Sequence, residues 1–143
     1  MNKLIYPTHE SLYFANSLAQ VVEYSGHYVR VEWQSAPMLS QDLRKVYEQI
    51  LLLLKESQLT KVLSDHQLMP AIMPQDQHWL ATDWAPRAVR EGHYSHCAVV
   101  DAYDVYNRLG TTSVVQHIRR TLDLRVAHFP DHESAERWLL GCN

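Results

Sequence analysis

Short β-rich apolar runs alternate with longer amphipathic segments from residue 28 to the C-terminus. The four runs are YVRVEW at residues 28–33, KVLSD at 61–65, CAVVD at 97–101 and LRVAHF at 124–129. Each run is followed by a segment of helical character, and this order is typical of α/β domains. Because the spacings between the last three runs leave room for long crossovers, we predict that these strands are parallel.

The residues before the first run predict an antiparallel pairing. Residues 11–25 carry apolar and β-branched side chains that indicate one or two strands. Gly26 takes a positive φ at little steric cost, so we expect residues 19–24 and 28–34 to pair as a hairpin. The sequence therefore predicts an α/β fold with a mixed β-sheet, in which an antiparallel N-terminal hairpin precedes parallel strands joined by helices.

Helices are indicated by apolar spacing and by boundary residues. Residues 43–54 repeat apolar side chains every three or four positions, with Ser40 as the expected N-cap. Pro74 is expected at the first position of the next helix, and Pro86 is expected to kink or split that helix. Gly110 is a candidate point of division in the third helical segment.

Composition indicates a globular protein with a single domain over residues 1–143. The hydrophobic fraction is 46% and the charged fraction is 20%, which argues against extended disorder. Lys and Arg are scattered and the formal net charge is −3, so little electrostatic attraction acts on phosphate backbones. Nucleic acid is therefore not an expected partner.

Cysteine content and apolar run lengths bear on localisation. Cys97 and Cys142 do not make the dense spacing of a secreted disulfide framework, so we expect a reducing, cytoplasmic compartment. The apolar run before Pro7 has three residues, far fewer than a signal-peptide core. The longest apolar run covers residues 50–54, so no membrane insertion is expected.

Several segments together resemble a known family. They are Trp33, the VLSD run that ends at Asp65, the MPQD segment at residues 73–76, WLATDWAPRAV at 79–89, HCAVVDAYDVY at 96–106 and VAHFPDHESAERWLL at 126–140. With these elements the chain resembles the STAS-like domains, the fold of the anti-sigma-factor antagonists, and in particular a bacterial group of small stand-alone STAS-like proteins. The resemblance covers most of the chain. It implies a domain of four helices and a sheet that binds a partner protein or small ligand, without catalytic machinery or cofactor.

The resemblance also raises the question of a phosphorylation switch. Regulatory STAS domains are switched by phosphorylation of a Ser or Thr at the start of the helix after the third main strand. Between Asp65 and Trp79 this chain has no Ser or Thr, which is a departure from that pattern. Ser64 is the one nearby hydroxyl and so the only candidate for this modification.

Polar residues follow two of the predicted parallel strands. Asp65 and His66 end one strand, and Asp101, Tyr103 and Asp104 follow the next. Ligands of open α/β sheets favour the edge at which parallel strands end, so these residues are candidates for binding a partner or ligand. The alternative is that the aspartates cap a helix or close a turn.

Two further groups of residues have alternative interpretations. Met69 and Met73 lie with Ile72 in a proline-containing loop, where they either form an adaptable contact surface or fold over the sheet edge and become buried. Three tryptophans at helical spacing either line a ligand pocket or, as is more common, pack the core. They are Trp79, Trp84 and Trp138.

The nine histidines do not predict a metal site. His93 and His96 are separated by the end of a helix, and the start of a strand sends His96 and Cys97 to opposite sides. Pro130 breaks the segment that contains His128 and His132.

The leading hypothesis is a non-catalytic regulatory or binding module. It engages a partner protein or small ligand at the C-terminal edge of its sheet, through the loop at residues 65–74 and the corner at 101–104. One alternative is a small hydrolase or lyase that uses His66 or His96 with a strand-end Asp. A second alternative is a carrier of an apolar ligand between the tryptophan-bearing helix and the sheet. A homodimer formed through an exposed strand edge is also considered.

Overall fold

Six strands form one mixed sheet whose spatial order follows the chain, β1-β2-β3-β4-β5-β6. The strands of the computed structural model are β1 (Glu10–Ala15), β2 (Ala19–Tyr24), β3 (Tyr28–Trp33), β4 (Lys61–Asp65), β5 (His96–Val100) and β6 (Arg125–Phe129). The first three strands pair antiparallel and β3 to β6 pair parallel. This arrangement confirms the predicted fold class. The structure describes residues 9–143.

The hairpin of β2 and β3 has the predicted turn. Tyr24 pairs with Tyr28, and the backbone N–H of His27 donates to the Tyr24 carbonyl oxygen at 3.0 Å. Gly26 has a φ of 80°, a value that L side chains disfavour. The glycine therefore allows the chain to reverse within the three residues between the strands.

Helices cover both faces of the sheet, but unequally. They are α1 (Ser40–Ser57), α2 (Pro74–Trp79), a π-helical turn (Leu80–Trp84), α3 (Ala85–Gly92), α4 (Val105–Thr121) and α5 (His132–Gly141). Side chains of α1, α3 and α4 share one large core cluster with the sheet. On the opposite face Ala135 and Leu139 of α5 pack with Tyr28, Leu63 and Ala98. Alternate strand positions thus supply two separate cores.

The start of α1 differs from the expectation. Leu39, not Ser40, occupies the N-cap position, and no side chain caps the helix there. The Ser40 hydroxyl instead donates to Asp76 Oδ2 at 2.7 Å, at the start of α2. The prediction was wrong because a carboxylate distant in sequence competes for the hydroxyl that local capping would use.

The helical segment that contains Pro86 is interrupted by the π turn, which lies about one turn before that proline. In the π turn the N–H of Ala85 donates to the carbonyl of Leu80, five residues back. Pro86, which has no N–H, then lies in the first turn of α3, where prolines are tolerated. The segment ends at Gly92, after which His93 adopts a left-handed conformation with φ 54°.

Gly110 does not divide the third helical segment, because α4 is continuous from Val105 to Thr121. A Cβ added at Gly110 would lie 2.7 Å from Gln77 Nε2. The glycine therefore permits close approach of α4 to α2. That packing requirement is not visible in local sequence.

Within residues 9–143 there is no helix with the length and apolar character needed to cross a membrane. The sequence argument about the apolar run before Pro7 concerns residues that lie outside the described part of the chain.

Candidate functional site

Asp65 and Asp101 lie at the same edge of the sheet. In the parallel register of β4 and β5, Asp65 is level with Val100, which directly precedes Asp101. The N–H of Asp101 donates to the carbonyl of Phe129 at 2.9 Å and so extends the pairing of β5 with β6 by one residue past the end of β5. We call this end of the sheet, where β3 to β6 finish, the carboxyl edge.

The aspartates at the carboxyl edge have local structural roles. Asp65 Oδ1 accepts from the N–H of Gln67 at 3.0 Å and closes a turn. Asp104 is the N-cap of α4 and accepts from Tyr106 N–H at 2.8 Å and Asn107 N–H at 3.2 Å. Asp101 Oδ1 lies 3.1 Å from His128 Nδ1, with both side chains partly exposed. These contacts position the loops and leave the carboxylates of Asp101 and Asp104 accessible to solvent.

The loops after β4 and β5 are joined to each other. The N–H of Tyr103 donates to the carbonyl of Gln67 at 3.1 Å. The Arg108 guanidinium donates to the carbonyls of Ala102 at 2.7 Å and Tyr103 at 3.1 Å, which holds the second loop against α4. Leu68 and Tyr103 consequently line the two sides of one groove.

Large apolar side chains are exposed around these loops. Tyr103 is 72% exposed and Tyr106 is 69% exposed, although tyrosine is on average a partly buried residue. We define the edge surface as the exposed apolar side chains on the loops after β3, β4 and β5 and on the first turns of α4. They are Leu39, Leu68, Met73, Tyr103, Val105, Tyr106 and Leu109.

The two methionines of the loop after β4 differ in burial. Met69 is 1% exposed and packs in the main core, and Ile72 is buried with it. Met73 is 46% exposed and forms the N-cap of α2. Met69 and Ile72 are therefore buried, as the second interpretation expected, and Met73 alone of the three stays exposed.

Apolar residues occupy the N-cap positions of both α1 and α2. Neither Leu39 nor Met73 supplies a side-chain cap, although polar caps are strongly preferred there. The two helix starts are joined by Asp76, which is 1% exposed and accepts from Ser40 Oγ at 2.7 Å and Arg44 Nε at 3.0 Å. This buried carboxylate brings the loops bearing Leu39 and Met73 together.

A buried polar cluster lies directly beneath the carboxyl edge. His66 is 4% exposed, and its ring lies 3.0 Å from Ser64 Oγ through Nε2 and 3.1 Å from Asn107 Oδ1 through Nδ1. Trp33 Nε1 donates to Ser64 Oγ at 3.0 Å. Thr111 Oγ1 donates to Asn107 Oδ1 at 3.3 Å and completes the cluster.

The orientation of the Asn107 amide decides the direction of the hydrogen bonds in this cluster. Asn107 Nδ2 donates to the carbonyl of Pro70 at 2.8 Å, so the Asn107 oxygen faces His66. His66 Nδ1 therefore carries the proton, and Nε2 accepts the hydroxyl proton of Ser64. Burial lowers the pKa of His66 to about 4, which keeps the imidazole neutral at pH 7.

The Asp–His contact expected for a hydrolase is not formed by either histidine considered. The side-chain partners of the His66 ring are Ser64, Asn107 and Thr111, none of them acidic. His96 begins β5 at the opposite end of the sheet, and its Nδ1 lies 2.8 Å from Ser95 Oγ. Asp101 pairs with His128 instead, on the exposed edge.

Sequence reasoning missed Asn107 and Thr111, both of which are buried. They continue the buried face of α4 from Val115 towards the N-terminus of the helix, at intervals of four residues. Polar residues in register with a buried helical stripe were the available signal. The partner, His66, lies 41 residues before Asn107 and is reached only in three dimensions.

The tryptophans mainly pack the core. Trp84 is 4% exposed and donates from Nε1 to the carbonyl of Tyr47 at 2.7 Å. Trp79 is partly buried against the same cluster, with its ring in contact with Tyr47. Trp138 packs on Phe129 on the other face.

Ser64, the candidate for phosphorylation, is 7% exposed, and its hydroxyl bonds to Trp33 and His66 inside the protein. A phosphate at this position would have to enter the buried cluster, so this geometry does not favour the modification. Phosphorylation of Ser64 stays a prediction.

Within residues 9–143 no group of three or more His, Cys, Asp or Glu side chains is arranged to hold a metal ion. Comparison with known proteins gives no relative, since no family model, curated protein or solved structure matches this chain. The resemblance to STAS-like domains therefore rests on the sequence segments alone.

Proposed function

We propose that this protein is a non-catalytic STAS-like regulatory module of the bacterial cytoplasm, and that a partner protein docks on its edge surface. The proposal combines the resemblance in sequence with the chemistry of the carboxyl edge. A protein is favoured as the occupant because the exposed side chains spread over three loops and a helix and do not converge into one deep pocket.

The observation that carries the proposal is the clustering of exposed apolar side chains. Within residues 9–143, ten large apolar side chains are exposed, and seven of them belong to the edge surface. Single exposed apolar residues are ordinary, but a group of them marks an interaction site. Tyr103 and Tyr106 are the expected anchors, because tyrosine is enriched among residues that dominate binding energy.

The charges around the edge surface indicate the chemistry of the partner. Asp65, Asp101, Asp104 and Asp131 all lie at the ends of strands or the starts of helices on the carboxyl edge. The nearby Arg108 guanidinium is already bonded to backbone carbonyls. We therefore expect a partner that presents apolar side chains flanked by Lys or Arg.

The same charges disfavour a homodimer through this surface. In a symmetric dimer the same patch of each copy faces the other. Asp101 and Asp104 of one copy would then approach the acidic residues of the second copy, and like charges across an interface are unfavourable. A different protein with a basic rim avoids this repulsion.

Quantitative affinity capture with matched surface variants tests the proposal. The test variant carries Leu68→Ser and Tyr106→Ser on the edge surface. The control variant carries Leu52→Ser and Leu140→Ser, which replace exposed apolar residues elsewhere. We expect a partner retained by the wild type and the control and reduced at least about tenfold with the test variant, as for loss of interface anchors. Circular dichroism should show both variants folded.

Two results would overturn this proposal. One is a partner that both variants retain equally, which places binding elsewhere on the molecule. The other is concentration-dependent self-association in sedimentation experiments that the test variant abolishes and the control does not, since this makes a second copy the occupant.

A hydrolase is the second candidate function, favoured by one observation. Ser64, His66 and Asn107 follow the order of nucleophile, imidazole and orienting group found in acyl-transfer enzymes. In such a reaction Ser64 Oγ would attack an ester carbonyl while its proton passes to His66 Nε2, and the ester C–O bond would break as the alcohol leaves with that proton, giving an acyl-serine that water then hydrolyses. The low pKa of His66 makes it a weak base for this transfer.

Hydrolysis of p-nitrophenyl acetate separates the two functions. A hydrolase predicts a rate that falls at least about a hundredfold in Ser64→Ala and is unchanged in Ser35→Ala, which alters an exposed serine. The binding module predicts the same slow rate for the wild type and both variants.

A further inference from the structure

A cavity of about 80 Å³ lies between the sheet and the helices of the larger core. Strands β4, β5 and β6 form its floor, and α1, the π turn and α4 form its walls. Three aromatic residues, Tyr47, Trp84 and Tyr94, line one side. Close-packed interiors rarely leave a space several times larger than a water molecule, so this cavity requires an explanation.

Ser64, His66 and Thr111 give the cavity a polar end. The donor groups at this end are already used, because the Ser64 hydroxyl donates to His66 and the Thr111 hydroxyl donates to Asn107. Ser64 Oγ already accepts from Trp33 Nε1, whereas Thr111 Oγ1 lies 3.4 Å from His66 Nδ1 and retains acceptor capacity, since a hydroxyl has two lone pairs. The polar end therefore complements a group that donates a hydrogen bond.

No charged group lines the cavity at pH 7. It contains no Lys, Arg, Asp or Glu side chain. Burial lowers the pKa of His66 to about 4 and raises the pKa of Cys97 to about 11. Burial also raises the pKa of Tyr47 and Tyr94. A carboxylate, phosphate or ammonium would lose its hydration in this space without gaining a counter-charge.

The π turn contributes directly to the cavity wall. Leu80 and Trp84, its first and last residues, both line the space, followed by Ala85. A π turn is rare and costs hydrogen-bond geometry, and such turns occur frequently at functional sites. Leu80 and Trp84 lie four residues apart and so face the same space.

We propose that this cavity is a binding site for a small neutral molecule with an apolar body and a hydroxyl group, the hydroxyl donating to Thr111 Oγ1. The volume is about half of the ~150 Å³ that accommodates benzene, so the fitting molecule is smaller than benzene. This inference is independent of the partner proposed for the edge surface.

Methyl NMR titration with 1-butanol tests the site. We expect saturable shifts of the Val62, Val99 and Ile118 methyl groups, which line the cavity. Methyl propyl ether is an isomer without a donor, so it should bind about fivefold more weakly, the effect of one hydrogen bond. Butanoate and butylammonium, which are charged, should give no saturable shifts at these methyl groups.

Two pairs of variants localise the effect. Val99→Ile adds a methylene into the cavity and should abolish the response to 1-butanol. Val29→Ile makes the same change at a buried strand position that does not line the cavity, and should preserve the response. Thr111→Val removes an acceptor with little change in shape, and Thr112→Val changes an exposed hydroxyl beside it. Thr111→Val should reduce the preference for the alcohol over the ether, and Thr112→Val should not.

The absence of saturable shifts in the wild type would overturn the proposal. Equal affinity for 1-butanol and methyl propyl ether would also contradict it, because the polar end would then make no contact. An unchanged response in folded Val99→Ile would place the bound alcohol outside the cavity. The NMR spectra themselves report whether each variant is folded.

Discussion

The backbone N–H of Tyr103 donates a hydrogen bond to the carbonyl oxygen of Gln67 at 3.1 Å. This bond joins the loop that follows β5 to the loop that follows β4, although the two are distant in sequence. Leu68, directly after Gln67, is 52% exposed, and so both apolar side chains are displayed from a connected backbone. Pre-ordered loops lose less conformational entropy on binding, which favours recognition by this edge.

Asp76 is expected to hold the loops bearing Leu39 and Met73 together. Asp76→Ala removes the acceptor for Ser40 Oγ and Arg44 Nε, while Arg44 can return to solvent. We expect the free energy of unfolding to fall by about 2 to 3 kcal/mol, measured by urea denaturation.

Asp83→Ala provides the matched control for this prediction. Asp83 also accepts from an arginine, Arg87, at 2.8 Å, but its side chain is 52% exposed. The control should change the free energy of unfolding by less than about 0.5 kcal/mol. Equal effects of the two substitutions would show that burial of Asp76 contributes nothing.

His66 should make stability depend on pH in the acidic range. Its folded pKa is about 4, against an ordinary value of 6.5, because burial disfavours the charged imidazole. Between these two values the unfolded chain binds a proton that the folded protein does not. The free energy of unfolding should therefore be highest above about pH 6.5 and fall as the pH decreases towards 4, by about 3 kcal/mol in total.

Urea denaturation at several pH values, with His66→Gln beside the wild type, isolates this contribution. The variant should lose stability at neutral pH and show a smaller decrease on acidification. Thr112→Val, which changes an exposed residue outside the His66 cluster, should keep the pH slope of the wild type. A wild-type slope that persists in His66→Gln would assign the pH dependence to other groups.

The contact between Gly110 and Gln77 predicts that Gly110→Ala changes stability in opposite directions when residue 77 is Gln and when it is Ala. In the wild type, Gly110→Ala places a Cβ 2.7 Å from Gln77 Nε2, which donates to the carbonyl of Ile72 at 2.8 Å. Displacing this amide should outweigh the gain in helix propensity and destabilise the protein by about 1 kcal/mol. In a Gln77→Ala background the same substitution should stabilise it by a similar amount.

Thermal denaturation of the four proteins of this double-mutant cycle measures the coupling. Gly141→Ala is the control, because a Cβ at Gly141 meets no atom within 4 Å. It should be neutral or slightly stabilising. Additive effects of the Gly110 and Gln77 substitutions would mean that the two residues do not compete for space.

The sheet is predictable from sequence because each strand carries a local signal. Alternation at residues 28–33 and the turn at Gly26 specify the hairpin, and the apolar runs at 61–65 and 97–101 specify buried parallel strands. The features that differ from expectation depend on distant contacts. Ser40 bonds to Asp76, and Gly110 accommodates Gln77, so neither follows from propensity.

The candidate site is predictable in position but not in detail. Strand order alone brings Asp65 and Asp101 to one edge, where the structure also has them. Whether His66 points to that edge or into the core depends on its buried partners Asn107 and Thr111. These partners come from α4, and no local pattern near His66 specifies them.

Hydrogen exchange on the protein alone and with its captured partner bound tests the central claim most directly. If the partner docks on the edge surface, the amides of residues 66–73 and 101–109 should exchange at least about tenfold more slowly in the complex. Exchange at residues 53–57 of α1 and 138–141 of α5, which lie at the opposite end of the sheet, should not change. Slower exchange confined to residues 53–57 or 138–141, with residues 66–73 and 101–109 unaffected, would contradict the account.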